Sequence, residues 1–328
     1  MTTTFNPVQD RFGRIKRKLR LSLTDRCNFR CRYCMPEHPQ WLPGRELMDR
    51  QELVRLATLF VDAGIEEIRL TGGEPLLRRD VVACVAALSR LRERGLKRLS
   101  MTTNGTRLPA LLDDLIAAGL DDLNISLDAV DEVRFQVLTG KPLAPVLSGI
   151  ERARNSGIPV KLNAVLLQGY NDDQILPLVA WARSLPLPLR FIEYMPLDEP
   201  GRWREDQVVS EARILDTLGQ HHHVQALPRG SSPATQYRLD HDYTLGVIST
   251  VTRPFCASCD RLRLTANGHL YTCLFSRQGH DLLMPMRNGE DDDALHQRIA
   301  RQVWHKDAGY AAAPGPVPRL ITMHAMGG

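Results

Sequence analysis

Six of the seven cysteines fall into two triplets, Cys27-x3-Cys31-x2-Cys34 and Cys256-x2-Cys259-x13-Cys273, and Cys84 stands apart. Clustered cysteines in a cytosolic chain point to metal rather than disulfides, because reducing conditions keep thiols free. Three thiolates at the first spacing can hold three irons of a cubane cluster and leave the fourth iron open. A closed zinc site needs four ligands, and this loop offers three, with His38 as a conceivable fourth. The second triplet repeats the arithmetic, so two open irons and two bound ligands are the economical reading. Cys84 lies among Val81, Val82, Val85 and Ala86 at helical spacing and reads as a small buried filler.

An open iron next to a strong one-electron donor can be chelated by the amino and carboxylate groups of S-adenosylmethionine. Reductive cleavage of the sulfonium then yields methionine and a 5′-deoxyadenosyl radical. Tyr33, between the second and third cysteines, either packs or covers the cofactor. Between the second-triplet cysteines lies Arg261-Leu262-Arg263, whose alternation puts both guanidiniums on one side of a strand. Planar guanidinium forks suit phosphate oxygens, so this pair would attract a polyanion; plain surface decoration is the alternative. Adjacent residues do not face one way in a helix or strand, so His221, His222 and His223 are expected in a surface loop.

Strand-like runs recur at Leu19 to Thr24, Glu67 to Thr71, Arg98 to Thr103, Asp122 to Leu127, Val160 to Leu166 and Arg190 to Tyr194. Amphipathic stretches separate them: Asp49 to Ala63, Asp80 to Arg92, Pro109 to Ala118, Ala144 to Asn155 and Asp172 to Ser184. Repeated strand and helix with right-handed crossovers gives a doubly wound sheet or a barrel. The chemically interesting residues follow successive strands: the first cysteines, then Gly72-Gly73-Glu74-Pro75, Thr102-Thr103-Asn104-Gly105 and Ser126-Leu127-Asp128. In a barrel those ends share one mouth, so a full or partial barrel is expected. The expected organisation is an N-terminal basic arm (1–18), a barrel core (19–227) and a C-terminal α+β extension (228–328), with a loop of Pro228, Gly230, Ser231, Ser232 and Pro233 at the boundary. A helix is expected from Ala294 to Trp304, and a Pro- and Gly-rich stretch from Pro314 to Pro318.

The Cys27, Cys31, Cys34 motif with Tyr33, followed by Gly72-Gly73-Glu74-Pro75, resembles the radical S-adenosylmethionine superfamily. The resemblance implies a partial (β/α)6 TIM-type barrel. It also implies cofactor contacts from Gly73, Tyr33, Ser126 and Met195. The second triplet, the Arg261-Leu262-Arg263 segment and the Gly327-Gly328 end resemble the GTP 3′,8-cyclase family, over nearly the whole chain. That resemblance implies two 4Fe-4S clusters and GTP as substrate, with the open iron of the second cluster on guanine. Nucleotide contacts are implied for Arg20, Arg69, Thr102, Lys161, Arg261, Leu262 and Arg263, with Arg190 as a further candidate. Arg261, Arg263, Gly327 and Gly328 are the implied catalytic residues, and Met326 stands where the family more often has isoleucine. The implied reaction removes hydrogen from C3′ of the ribose and joins that carbon to C8 of guanine. A homodimer, an electron donor such as flavodoxin or ferredoxin, and a downstream cyclic pyranopterin monophosphate synthase complete the expectation.

Composition agrees with a folded cytoplasmic protein, at 43% hydrophobic and 24% charged residues. No apolar run is long enough for a membrane span, and a formal charge of +4 is too small to argue for nucleic acid. Arg11, Arg14, Lys16, Arg17, Lys18 and Arg20 concentrate before the first triplet, as a solvated arm or as something more specific. Two rival readings remain: another radical enzyme with an auxiliary cluster modifying a peptide or cofactor, and a zinc-stapled nucleic-acid-binding protein.

Overall fold

Short β-branched and leucine-rich runs, each followed by an amphipathic helix, fold into a parallel sheet that lengthens in chain order. In the computed structural model, which describes residues 5–197, 203–229, 232–309 and 322–327, the strands β1 (Lys18–Ser22), β2 (Glu67–Thr71), β3 (Arg98–Thr103), β4 (Asp122–Ser126), β5 (Val160–Leu166) and β6 (Leu189–Glu193) pair side by side, all parallel. Six further strands follow: β7 (Val224–Ala226), β8 (Thr235–Leu239), β9 (Tyr243–Ile248), β10 (Arg261–Leu264), β11 (His269–Tyr271) and β12 (His280–Asp281). Among the described residues they form one sheet in the order β12-β11-β10-β1-β2-β3-β4-β5-β6-β9-β8-β7. The last third of the chain therefore flanks the first two-thirds on both sides. There β10 runs parallel to β1, β9 runs parallel to β6, and antiparallel strands finish each edge.

Strand alternation divides the sheet into an apolar and a polar face. Leu21, Ile68, Leu70, Leu99, Leu123, Leu162 and Phe191 belong to the buried core. Helices cover that face with their own apolar stripes; Arg50–Asp62 contributes Leu53, Leu56, Ala57 and Phe60. Its first turn is closed by a capping box in which Asp49 accepts from the Glu52 amide and Glu52 from the Asp49 amide, both at 2.8 Å. Cys84 is fully buried inside the helix Val81–Ser89, the filler position its neighbours predict. His221 to His223 form a turn in which His222 Nδ1 lies 2.8 Å from Asp240 Oδ2.

Two features depart from the sequence reading. The eight-residue helix Glu132–Thr139 was not foreseen; Asp131 caps it and Gly140 ends it at φ 68°. It braces the first cysteine loop, since the Arg30 and Arg32 amides donate to Thr139 O and Leu138 O at 2.9 and 3.0 Å. The N-terminal arm is no solvated tail either: Lys16 is wholly buried, donating to Asp10 Oδ2 at 2.7 Å and to Cys259 O at 2.8 Å. The stretch Pro314 to Pro318 and the pair Gly230 and Ser231 lie outside the described residues.

Candidate active site

Every second residue along the parallel strands faces a cavity of about 520 Å³. Its walls carry Arg20 from β1, Arg69 from β2, Thr102 from β3, Asn124 and Ser126 from β4, Lys161 and Asn163 from β5, Arg190 from β6, and Arg261 and Arg263 from β10. Sheet register puts Arg263, Arg20 and Arg69 on one rung across three neighbouring strands. The cost of that crowding appears in Arg20, whose pKa is driven well down by burial first and then by the charges of Arg263, Arg69, Arg261 and Arg190. Burial, then Arg69, lowers Arg190 to about 10, and burial, then Arg190, depresses Lys161. Asp122 meets part of this charge, 2.6 Å from Arg98 and 3.9 Å from Arg69. Buried polar atoms usually have partners, yet Arg69 Nη1, Thr71 Oγ1, Asn124 Oδ1 and Asn163 Oδ1 have none among the described residues. A concave, cationic chamber with unmet polar atoms is built for a polyanion that also offers hydrogen-bonding groups.

Both cysteine triplets line this one cavity. Cys27, Cys31 and Cys34 follow β1 and so stand at the carboxyl ends of the parallel strands, while Cys256 and Cys259 precede β10 and stand at the opposite end. At the first mouth the Cys31 carbonyl accepts the Cys34 and Met35 amides at 3.0 and 2.9 Å, a turn that draws the thiols inward. Burial, then Glu74, pushes the Cys27 thiol up to about 11; burial, then Asp128 and the two sister cysteines, also raises Cys31 well above its ordinary value. The Tyr33 hydroxyl donates to Asp128 Oδ2 at 2.7 Å, and Asp128 Oδ1 accepts the Val165 amide at 2.9 Å. Gly73 is pressed against the chain entering the cysteine loop, so that a Cβ there would come within 2.3 Å of Arg26 O. The Glu74 amide donates to Arg26 O at 2.7 Å, and its carboxylate ties this stretch to the end of β3 by accepting from Thr103 Oγ1 and the Asn104 amide, each at 2.7 Å. Ser126 and Met195 line the cavity with them.

Cations surround the second triplet. Arg261 Nη2 lies 3.7 Å from Cys259 Sγ, and its guanidinium sits over the Phe255 ring at 4.6 Å. Burial alone would raise the Cys259 thiol, but Arg261, Lys306 and Lys16 outweigh it and its pKa is lowered. The C-terminal segment reaches Arg263 from the opposite end of the cavity, where β1 and β2 finish. Arg263 Nη1 donates to Gly327 O at 2.8 Å, and Gly327 takes φ 81°, where a Cβ would meet Thr71 Oγ1 at 2.4 Å. Gly328 lies outside the described residues. Leu262 needs a correction: alternation that turns Arg261 and Arg263 inward turns Leu262 into the core, fully buried, and it does not line the cavity.

Among the described residues no three His, Cys, Asp or Glu side chains gather around one ion-sized position. Sequence reasoning missed Arg98, Asn124 and Asn163 as cavity residues, and Asp122 as the carboxylate behind Arg98 and Arg69. Isolated polar residues inside strands carry no motif, and only their inward alternation with Leu99, Leu123 and Leu162 could have marked them.

Comparison with known proteins agrees with this arrangement. Residues 21–182 match the model of the Radical SAM superfamily, and residues 187–312 that of Molybdenum Cofactor Synthesis C. A GTP 3′,8-cyclase of Mycobacterium sp. (strain KMS) is 44% identical over 333 residues, covering 99% of this chain and 95% of its own. The GTP 3′,8-cyclase of Streptomyces coelicolor is 44% identical over 308 residues, 92% of this chain and 90% of its own. In fold alone, Streptococcus suis SuiB bound to S-adenosylmethionine matches 87% of this chain and 68% of its own with a TM-score of 0.59 at 15% identity.

Proposed function

The chain belongs to the GTP 3′,8-cyclase family of the radical S-adenosylmethionine superfamily, and from that membership we propose how its cavity is divided. The protein is a lyase that converts GTP into (8S)-3′,8-cyclo-7,8-dihydroguanosine 5′-triphosphate, the first step of molybdenum cofactor biosynthesis. When bound, a reduced 4Fe-4S cluster and S-adenosylmethionine would supply the 5′-deoxyadenosyl radical that takes hydrogen from ribose C3′; that carbon would join C8 of guanine, and one further electron and a proton would complete the 7,8-dihydro product.

The residues present fit those groups. Cys27, Cys31 and Cys34 are free, partly enclosed thiols whose anionic forms repel one another, a tension that bound iron would relieve. Beside them, the Gly73 backbone would receive the methionyl group, Tyr33 would cover the cofactor with its ring fixed by Asp128, and Ser126 and Met195 would complete its enclosure. Cys256, Cys259 and Cys273 would hold a second 4Fe-4S cluster whose open iron takes the guanine. Between the two triplets, Arg20, Arg69, Lys161, Arg190, Arg261 and Arg263 would neutralise the triphosphate, and Thr102 would hydrogen-bond the nucleotide. Arg263 would hold the Gly327-Gly328 end against the substrate through Gly327 O. The observation that carries this reading is the arginine rung of β10, β1 and β2, lying in one chamber between two thiol triplets. Fixing both reactants in one enclosed space supplies orientation and excludes water, which is the protein's share of the catalysis.

No helix among the described residues is long and apolar enough to cross a membrane. A cytoplasmic homodimer, reduced by flavodoxin or ferredoxin and delivering product to cyclic pyranopterin monophosphate synthase, completes the proposal. The test uses anaerobic protein, with iron and sulfide counted and GTP binding measured. Cys27→Ser should abolish both S-adenosylmethionine cleavage and GTP conversion, whereas Cys273→Ser should spare cleavage more than conversion. Equal loss of cleavage in both variants would sink the division.

A further inference from the structure

We propose that Arg14, Lys16 and Lys306 form a cationic clasp that positions the second cysteine triplet and sets the charge around the cluster held there. The inference rests on reading that triplet as cluster ligands. Each of its cysteines has main chain held by a different cation. Arg14 Nη1 donates to Cys256 O at 2.7 Å, Lys16 Nζ donates to Cys259 O at 2.8 Å, and Lys306 Nζ donates to Thr272 O, the carbonyl preceding Cys273. They come from two places far apart in sequence: Arg14 and Lys16 from the segment before β1, and Lys306 from just beyond the helix Asp292–Trp304.

Burying ammonium groups is costly unless they are paired or fully hydrogen-bonded. Lys16 is 0% exposed and Lys306 is 2% exposed, so neither is surface decoration. Asp10 ties the first two together, accepting from Arg14 Nε at 2.6 Å and from Lys16 Nζ at 2.7 Å on the same carboxylate oxygen. Its other oxygen accepts the Phe12 and Arg14 amides at 3.0 and 3.1 Å, which fixes the segment's own backbone. Arg14 also reaches Ala308 O at 2.6 Å and Asp307 O at 2.8 Å, linking this segment to the one carrying Lys306. A network of this kind fixes the direction of each Cα–Cβ bond and so the position of each sulfur. Three cations against one carboxylate leave net positive charge behind the triplet. Nearby positive charge favours the more reduced, more negative state of an iron–sulfur cluster and raises its potential.

The test compares the unaltered protein with Lys16→Met and Lys306→Met, all prepared anaerobically. Iron and sulfide are counted, and the two clusters are followed by electron paramagnetic resonance during a reductive titration, with the first cluster as internal reference. The expected result is that iron falls from two clusters towards one, or that the second cluster's potential moves negative while the first cluster's stays put. Full occupancy with unmoved potentials in both variants overturns the proposal. Should Lys16→Met fail to accumulate folded protein, Lys306→Met alone decides by the same criteria. A single cluster in the unaltered protein would instead strike the underlying reading, so the two failures are distinguishable.

Discussion

Arg20 is enclosed on its rung by two further arginines, and no hydrogen-bonded network of ordinary neutral groups would ask for that arrangement. Charge-assisted hydrogen bonds contribute about 1.5–3 kcal/mol each, so Arg263→Met should raise KM for GTP about 10- to 100-fold by the usual 1.4 kcal/mol per tenfold. Steady-state kinetics at varied GTP and fixed S-adenosylmethionine would check this, with KM for S-adenosylmethionine moving far less. Tyr33→Phe keeps the ring and removes its hydrogen bond to Asp128; a net loss of about 0.5–1.5 kcal/mol should appear as several-fold weaker S-adenosylmethionine binding by calorimetry. Residues of this kind differ in how far sequence exposes them. The cysteines and the Arg261, Arg263 pair announce themselves by spacing, whereas Asp122 and Asn163 acquire meaning only from the strands lying beside their own. Lys16 looked like one charge in a basic run because burial behind the second triplet depends on a contact far along the chain.

Elements explain why some of this was legible. The spans of β2, β3 and β5 coincide with the apolar runs read from sequence, and β1, β4 and β6 shift only at their ends. Those strands announce themselves by local pattern, but β9 and β10 are recognisable as parallel neighbours of β6 and β1 only after the sheet has formed. Leu262 shows the same alternation at work: Leu262→Ala should cost about 2–5 kcal/mol of stability, as for other leucine truncations in a core. Urea unfolding would measure it, and a loss below 1 kcal/mol would contradict the assigned core position. The turn before β7 offers a pH test. Asp240 accepts from His222, the His223 amide and Arg183, and its pKa is pushed down to about 2. A carboxyl depressed in the folded state contributes stability above its unfolded pKa and loses it as pH falls through the folded value. The difference in urea midpoint between the unaltered protein and Asp240→Asn should therefore shrink as pH falls from about 5 towards 2.

At the scale of the molecule, the chain's final third supplies walls rather than an appendage. The composition change after Leu227 was legible, but the sheet runs on through it, because β9 and β10 continue the parallel array on either side. A fragment ending at residue 227 would leave β1 and β6 as long bare edges, which invite pairing with other chains. It should be recovered as aggregate by size-exclusion chromatography, while the full chain elutes as a discrete species; a soluble, cooperatively unfolding fragment would contradict this. The same architecture governs timing. Lys16 meets the Cys259 carbonyl across 243 positions of sequence, and closing so distant a contact is slow relative to local helix formation. During synthesis the nascent strands emerge one after another with their inward arginines facing water, and the ribosome has nearly finished before the flanking strands exist to enclose them. The chamber is walled by strands from the last third of the chain, so it should be among the last parts of the fold to close.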